Sequence, residues 1–315
     1  MEVFRHIEDF IPPDSGTVAT MGNFDGIHLG HQALVKNAVM EARQCGSKSV
    51  VLTFEPHPLK LLAPERAPRM ILTHQDKMDL LQALGVDTVI IQKFDRDFSS
   101  IHAEDFVRRC LVEHIHLSRI WLGRDLRFGR GRKGGAEDLI RWGDVLGFTV
   151  GIVEPILVQG VRISSSRIRQ LIEEGRVDEV EPMLGRSHFV SGVVVSGHRR
   201  GREFGFPTAN LACSTEVLPK DGIYATIFEW ENQRWLSVSN VGVNPTFGAG
   251  PRTVESFILD FTQDVYGEPV KLFFVNRIRE ERKFARIEDL ISQMHRDVKA
   301  ARSVFEHSKF VIGNK

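Results

Sequence analysis

In the first half of the chain, short apolar runs alternate with segments whose apolar residues recur every three or four positions. The runs are rich in Val, Ile and Thr, and they predict strands at residues 17–24, 49–54, 87–94, 119–123 and 148–153. Helical spacing is kept between them by Leu34, Val35, Ala38, Val39 and Ala42, and again by Phe106, Val107, Cys110 and Leu111. This alternation predicts a parallel sheet with helices on both faces, which binds ligands beyond the carboxyl ends of its strands.

After Gly185 the pattern changes. Closely spaced strands are predicted at residues 189–195, 223–230, 234–241, 254–261 and 270–275, separated by Gly, Pro, Asn and Asp turns, and a helix is predicted at 287–307. Such spacing favours an antiparallel sandwich or small barrel. The sequence therefore predicts two domains of classes α/β and β, at residues 1–184 and 185–315.

Composition narrows the class of protein. The chain has 315 residues, of which 42% are hydrophobic and 26% charged, which excludes a mainly disordered protein. Lys and Arg (41) balance Asp and Glu (41), so no overall positive field favours nucleic acid or a membrane surface as a partner. Three widely spaced cysteines, no secretory leader and no long apolar run predict a cytoplasmic protein without disulfides.

The strongest chemical signal is a Gly-rich turn after the first predicted strand. Residues 20–31 read TMGNFDGIHLGH, which places His28 and His31 on one face of a starting helix, with Gly30 between them. Free backbone N–H groups and the helix dipole favour phosphate there, so the pair could stabilise charge as an α-phosphate is attacked. A solvated histidine pair and a zinc pair are the simpler alternatives, although no third zinc ligand stands at a metal spacing.

A second anion cradle is predicted at residues 163–169, which read ISSSRIR. Hydroxyl and N–H groups of Ser164 and Ser165 at a helix start, with Arg169 one turn further on, could clamp a triphosphate from the side opposite the histidines. Serines before helices are mostly N-caps, so this signal is weak alone.

The second half has its own candidate site. In residues 205–210 (GFPTAN), the Thr208 hydroxyl and Asn210 amide oxygen point the same way if the segment is extended, and hard oxygen ligands suit Mg²⁺ shared with nucleotide phosphates. An ordinary Pro turn is the alternative. By period two, Glu255 shares a face with Phe257 and Leu259, which predicts a carboxylate on the barrel side; it is either a general base or an edge carboxylate in water.

These motifs resemble, in order and over about residues 17–302, the bacterial bifunctional riboflavin kinase/FMN adenylyltransferases (FAD synthetases), whose first domain carries the H-x-G-H signature of nucleotidyltransferases. Further matching strings lie at residues 54–58, 123–129, 184–186, 219–224, 239–247 and 254–261. The chain departs from the family pattern at Leu126, Ser166 and Phe257, where Phe, Thr and His are more usual.

The resemblance implies a Rossmann-like nucleotidyltransferase sheet followed by a six-stranded antiparallel barrel and a terminal helix. It implies that the barrel phosphorylates riboflavin with Mg-ATP to give FMN, with Glu255 as base and Thr208 and Asn210 on the metal and nucleotide. The first domain would then adenylylate FMN to FAD. It would use His28 and His31, with Asn23, Asp25, Gly30, Ser164, Ser165 and Arg169 on ATP, and Phe54, Pro56, His57, Pro58, Gly123, Asp125 and Phe128 on the flavin.

Two alternatives remain open at this point. One is an adenylyltransferase for pantetheine phosphate or nicotinamide mononucleotide fused to a barrel. The other is a flavin- or RNA-binding module with one inactive site.

Overall fold

The computed structural model describes residues 1–197, 204–243 and 252–306. The basic residues 198–202 (HRRGR) and the motif residues 244–247 lie outside this part of the chain. The protein forms two compact units: Met1–Arg69 with His74–Ser164, and Met70–Thr73 with Ser165–Lys315.

The first unit is built on a six-stranded parallel sheet. Its strands are β1 (Glu2–Phe4), β2 (Thr17–Met21), β3 (Lys48–Glu55), β4 (Thr88–Lys93), β5 (Leu117–Gly123) and β8 (Thr149–Val153), in the spatial order β1-β4-β3-β2-β5-β8. The predicted parallel sheet is confirmed. The sequence pattern missed β1, because three residues at a sheet edge show no alternation, yet β1 pairs in parallel with β4.

The helices of this unit lie between its strands. They are α1 (Leu29–Cys45), α2 (Pro58–Leu62), α3 (His74–Ala83), α4 (Arg96–Ser100), α5 (Ala103–Asp105), which continues as a π-helix over Phe106–His114, and α6 (Ala136–Leu146). Two small hairpins pair β6 (Arg127–Phe128) with β7 (Gly134–Gly135) and β9 (Leu157–Val158) with β10 (Val161–Arg162). All five residues of the central strand β2 are buried, as expected for a sheet covered on both faces.

The second unit is a closed six-stranded antiparallel barrel. Its strands are β11 (His188–Val195), β12 (Thr208–Cys213), β13 (Gly222–Trp230), β14 (Gln233–Gly242), β15 (Thr253–Ile258) and β16 (Pro269–Arg279), in the order β11-β12-β15-β14-β13-β16. Helices α7 (Ser165–Glu174) and α8 (Glu181–Leu184) precede the barrel, and α9 (Ile287–Glu306) follows it. Ala301 and Phe305 of α9 pack with outward residues of β13 and β16, among them Ile227 and Val275.

The interior of the barrel contains both apolar and hydroxyl side chains. Tyr224, Phe228, Leu272 and Phe274 are fully buried within one apolar cluster. Four buried hydroxyls join the central strands through a chain of hydrogen bonds: Thr226 Oγ1 to Ser237 Oγ (2.8 Å) and Ser239 Oγ (2.6 Å), and Ser239 Oγ to Ser256 Oγ (2.9 Å). These partners satisfy polar groups that would otherwise be costly to bury.

The inward position of Ser256 corrects the expectation for Glu255. Along β15 the buried residues are Val254, Ser256 and Ile258, so Glu255 and Phe257 leave the barrel on its outer face. The predicted side is wrong because the inner face of β15 carries a serine. The outer face carries Phe257, whose ring lies 5.0 Å from that of Phe206.

Candidate active sites

Three candidate segments of the first unit emerge at one edge of the sheet. Strands β3, β2 and β5 are neighbours, and they end at Glu55, Met21 and Gly123. The turn that holds Asn23 and Asp25, the Pro56–His57–Pro58 string and the segment with Asp125 therefore all follow carboxyl ends of adjacent parallel strands. This edge is where open α/β sheets bind their ligands.

The two histidines lie side by side at the start of α1. His28 is the N-cap, and its Nδ1 accepts a hydrogen bond from the backbone N–H of His31 at 3.2 Å. Their rings stack with centroids 3.7 Å apart and planes inclined by 15°. Because Nδ1 is the acceptor, neutral His28 carries its proton on Nε2, which makes that atom a donor for a phosphate oxygen.

Burial and neighbouring positive charge keep His31 uncharged. Loss of solvent is the main cause that holds the pKa of His31 well below 6.5, and the charges of His28 and Lys77 lower it further. Within the described chain, the buried His31 Nδ1 has no hydrogen-bond partner. A neutral His31 keeps one N–H group, which can donate a hydrogen bond to a ligand.

The turn before α1 is conformationally strained. Phe24 and Ile27 adopt positive φ angles of 49° and 39°, which residues other than glycine rarely adopt. Each such residue costs on the order of 1–3 kcal/mol, and burial of both side chains, which are at most 1% exposed, offsets this. A Cβ atom at Gly30 would lie 3.1 Å from the His28 ring, which is too close for an ordinary contact. Glycine at this position therefore makes space for the ring.

One contact joins the nucleotide-assigned turn to the flavin-assigned string. The side-chain amide of Asn23 lies 3.0 Å from His57 Nε2, and His57 Nδ1 accepts from the Leu59 N–H at 3.2 Å, capping α2. The atom of Asn23 that faces the ring is Nδ2. Pro58 opens α2 directly after this cap.

Two other flavin-assigned residues, Phe54 and Phe128, lie at the ends of a chain of packed aromatic rings. The ring centroids are 5.9 Å apart for Phe54 and Phe98, 5.9 Å apart for Phe98 and Phe106, and 5.7 Å apart for Phe106 and Phe128. Asp125, in contrast, is exposed and forms an ion pair with Arg162. The structure thus joins Phe54 and Phe128 through packed rings and leaves Asp125 at the surface.

The predicted serine and arginine cradle falls at the division between the two units. Ser164 ends the first unit, whereas Ser165 and Arg169 lie on α7 of the second. Their assignment to ATP remains a prediction.

In the barrel, the candidate residues form a polar row on the outer face. Glu255 of β15 lies directly opposite Asn210 of β12 on one side and Asn240 of β14 on the other. Thr208, two residues from Asn210, lies on the same half-buried face, and β12 is extended as the prediction required. The next contact along the row is Glu281, whose Oε1 accepts from Asn240 Nδ2 at 3.0 Å.

Sequence reasoning did not single out Lys77, Asn240 or Glu281. Lys77 is 8% exposed beneath the turn of the first unit, and a buried lysine looks like any other helix lysine in a sequence. Asn240 stood inside a string that matched the family, which was the available signal. Glu281 stands in a charged run after β16 that is typical of a solvated loop.

The outer-face row fits a magnesium ion. Thr208 and Asn210 provide a hydroxyl and an amide oxygen on the outer face of β12, with the Glu255 carboxylate on the paired strand β15 beside them. Such hard oxygens are ligands that Mg²⁺ takes alongside substrate phosphates. No cluster of three or more His, Cys, Asp or Glu residues suited to a metal occurs in residues 1–197, 204–243 and 252–306.

A parallel-sheet unit with a capped histidine pair, joined in one chain to a barrel with an outer polar row, defines a two-domain nucleotide-dependent transferase. Family models agree: residues 11–167 match FAD synthetase, and residues 184–305 match riboflavin kinase. The chain belongs to the bifunctional riboflavin kinase/FMN adenylyltransferase family. It is 36% identical to the Escherichia coli K12 enzyme over 98% of this chain and 99% of that one, and 36% identical to the Listeria monocytogenes enzyme over 93% of each.

A solved structure has the same fold over nearly the whole length. A crystal structure described as a macrolide-efflux protein from Streptococcus pneumoniae is 34% identical, with a TM-score of 0.85 over 95% of this chain and 98% of that chain. In the described part of this chain, none of the helices combines the length and apolar character needed to span a membrane.

Proposed function

We propose that the barrel unit transfers the γ-phosphoryl group of ATP to the terminal ribityl hydroxyl of riboflavin, giving FMN and ADP. The first unit transfers AMP from another ATP to FMN, giving FAD and pyrophosphate. The observation that carries this proposal is the presence of two separate polar sites, one in each compact unit, in a chain related along its length to bifunctional enzymes.

In the barrel, Glu255 is the general base. It accepts the proton of the riboflavin hydroxyl as that oxygen forms a bond to the γ-phosphorus and the bond to the β-phosphate oxygen breaks. Asn210 and Asn240, directly opposite Glu255, hold the surrounding polar face in register, and Thr208 and Asn210 hold Mg²⁺ and nucleotide. The bound metal would neutralise charge on the phosphates.

In the first unit, the reaction needs charge stabilisation more than a strong base, because the FMN phosphate is already ionised. A phosphate oxygen of FMN attacks the α-phosphorus of ATP, and the bond to the β-phosphate breaks. His28 Nε2 and His31 donate hydrogen bonds to the phosphates, with their orientation fixed by the N-cap bond and by stacking. Asn23, Asp25 and Gly30 shape the turn, and Ser164, the last residue of this unit, adds a further donor. The assignment of Ser165 and Arg169 of α7 to ATP stays a prediction.

The flavin of FMN is assigned to the neighbouring edge segments. Phe54, Pro56, His57, Pro58, Gly123, Asp125 and Phe128 supply that side, and the contact between Asn23 and His57 supports a shared boundary between nucleotide and flavin. We place the enzyme in the cytoplasm, in keeping with an exposed free thiol at Cys45.

The deciding experiment is incubation of the protein with riboflavin and Mg-ATP, followed by chromatography for FMN and FAD. We expect FMN first and FAD later, and neither when Mg²⁺ is chelated. Parallel reactions with pantetheine phosphate or nicotinamide mononucleotide should give no adenylylated product. Absence of FMN and FAD, or turnover of either control substrate, would refute the proposal.

A further inference from the structure

A lysine ammonium group is buried beneath the turn that precedes α1. Lys77 of α3 is 8% exposed, and its Nζ donates to Thr53 Oγ1 on β3 at 3.4 Å. Burial lowers the pKa of Lys77, because a charged amine loses its water. Burying a lysine costs free energy. The groups that its charge and its hydrogen bond contact therefore indicate what role it has.

The hydrogen bond of Lys77 continues to the turn itself. Thr53 is fully buried, and its Oγ1 in turn donates to the backbone carbonyl of Asn23 at 3.4 Å. One hydroxyl therefore links the lysine of α3 to the backbone of the residue whose side chain contacts His57.

The charged groups that act on Lys77 come from the turn, from the end of β3 and from α1. Asp25, 3% exposed, and Glu55 both favour the charged ammonium. Glu55 is itself half-exposed and is shared with His74 (3.1 Å) and Arg5 (3.6 Å), whereas Asp25 lies within the turn. On α1, the positive charge of Lys77 disfavours a second positive charge on His31.

We propose that Lys77 is a positioning residue for adenylyl transfer: its ammonium group fixes, through Thr53 and Asp25, the turn that presents Asn23 and the histidine pair to the nucleotide. This role rests on the proposed adenylylation of FMN. Nothing places Lys77 against the reacting atoms, so it acts through the turn rather than on the substrate.

The first test replaces Lys77 with Met, which keeps an unbranched chain and removes the charge. Because small displacements of catalytic groups are costly, kcat/KM for FMN adenylylation should fall roughly 10–100-fold. Riboflavin phosphorylation in the same protein should be unchanged. The matched control is Lys48→Met, at the opposite end of β3, which removes an exposed lysine paired with Glu2 and should leave both reactions as in wild type.

A second pair of variants tests the link through Thr53. Thr53→Val keeps the shape and deletes the hydroxyl, and it should slow adenylylation, whereas Thr53→Ser keeps the hydroxyl and should retain most activity. In the double variant Lys77→Met/Thr53→Val the two losses should not add, because both break one link. Should Lys77→Met fail to fold, equal rates for Thr53→Val and Thr53→Ser would overturn the proposal.

The third measurement needs no turnover. Histidine NMR titration of wild type and Lys77→Met should show the pKa of His31 rising when the lysine charge is removed, because a positive neighbour has gone. Wild-type adenylylation by Lys77→Met, or an unmoved His31 titration, would overturn the role of Lys77. Failure of the wild-type protein to make FAD from FMN would instead overturn the proposed function, and the His31 titration would then still show whether the Lys77 charge acts on the histidine pair.

Discussion

Glu255 and Asn210 lie directly opposite each other on neighbouring antiparallel strands, and both side chains leave the barrel on its outer face. Cross-strand neighbours have Cβ atoms roughly 5 Å apart, which is close enough for both to contact one ligand. The proposed kinase site therefore lies on the outer wall of the barrel, whereas the interior of the barrel is filled by packed side chains.

The first prediction concerns the base on this wall. Glu255→Gln keeps the side-chain volume and removes the proton acceptor, so riboflavin phosphorylation should fall by roughly 10²–10⁴-fold. Adenylylation of supplied FMN should be unchanged, because residue 255 lies in the other unit. Rates of both half-reactions measure this, with the melting temperature as a check on folding. An equal loss in both reactions by a folded variant would contradict the two-site assignment.

The second prediction separates the two roles of His28. His28→Ala removes the donor at Nε2 and the N-cap, so FMN adenylylation should fall roughly 10²–10³-fold and stability by about 1 kcal/mol. His28→Asn restores a capping side chain without the imidazole, and it should recover the stability but not the activity. Both variants should still convert riboflavin to FMN. If His28→Asn adenylylated FMN normally, capping alone would explain the residue.

The third prediction concerns a buried ion pair that joins β16 to α9. Arg279 and Asp297 form two parallel hydrogen bonds, and their side chains are only 14% and 4% exposed. Asp297→Ala leaves the arginine charge buried and unpaired, which should destabilise the barrel by about 3–5 kcal/mol. Pulse proteolysis across a urea series, scoring the intact barrel fragment, measures the change.

A double variant provides the control for this ion pair. Replacing both residues with apolar ones, Arg279→Met with Asp297→Leu, should recover much of the lost stability. Recovery should be incomplete, because Gln293 also donates to Asp297 and would lose that partner. A double variant no more stable than Asp297→Ala would show that the buried charge is not the cause.

The fourth prediction is a loss of barrel stability in mild acid. Burial, helped by the charge of Arg186, lowers the pKa of His188 from 6.5 to about 3. Protonation of His188 therefore favours the unfolded chain. The stability that neutral His188 contributes to the folded barrel is fully present above pH 6.5 and is lost as the pH falls toward 3. At pH 5 the loss is about 2 kcal/mol.

His188→Gln should remove this part of the pH dependence. The urea midpoint of the barrel, measured at pH 7 and at pH 5 by the same proteolysis assay, should then differ less in the variant than in wild type. An identical pH dependence in the two proteins would show that His188 does not control acid sensitivity.

The parallel sheet could be predicted from the sequence because its strands are bounded by strong turn signals and alternate with helical spacing. In the second unit the same signals predict five strands and leave a sandwich or a barrel open; they miss β12, and the six-stranded barrel is what the family resemblance implies. The face of the barrel on which Glu255 lies could not be predicted in this way. Local alternation cannot tell inside from outside when Ser256 faces inward and Phe257 outward, since both depend on partners far along the chain. Lys77 was equally hidden, because its burial beneath the turn is a tertiary property. The pairing of His28 and His31 could be predicted from the sequence because the two residues lie within one helical turn.

The hydroxyl chain inside the barrel also fixes the side on which the proposed base lies. Ser256 is tied to Ser239, and the adjacent residue in the chain is the proposed base, so one stretch of β15 sets both the interior bonding and the aim of Glu255. Inserting or deleting a single residue there would exchange the two faces. The carboxylate would then point into the closed interior, and a serine would face the substrate. The internal hydroxyl bonds therefore keep β15 in the register that holds the proposed base on the outer face.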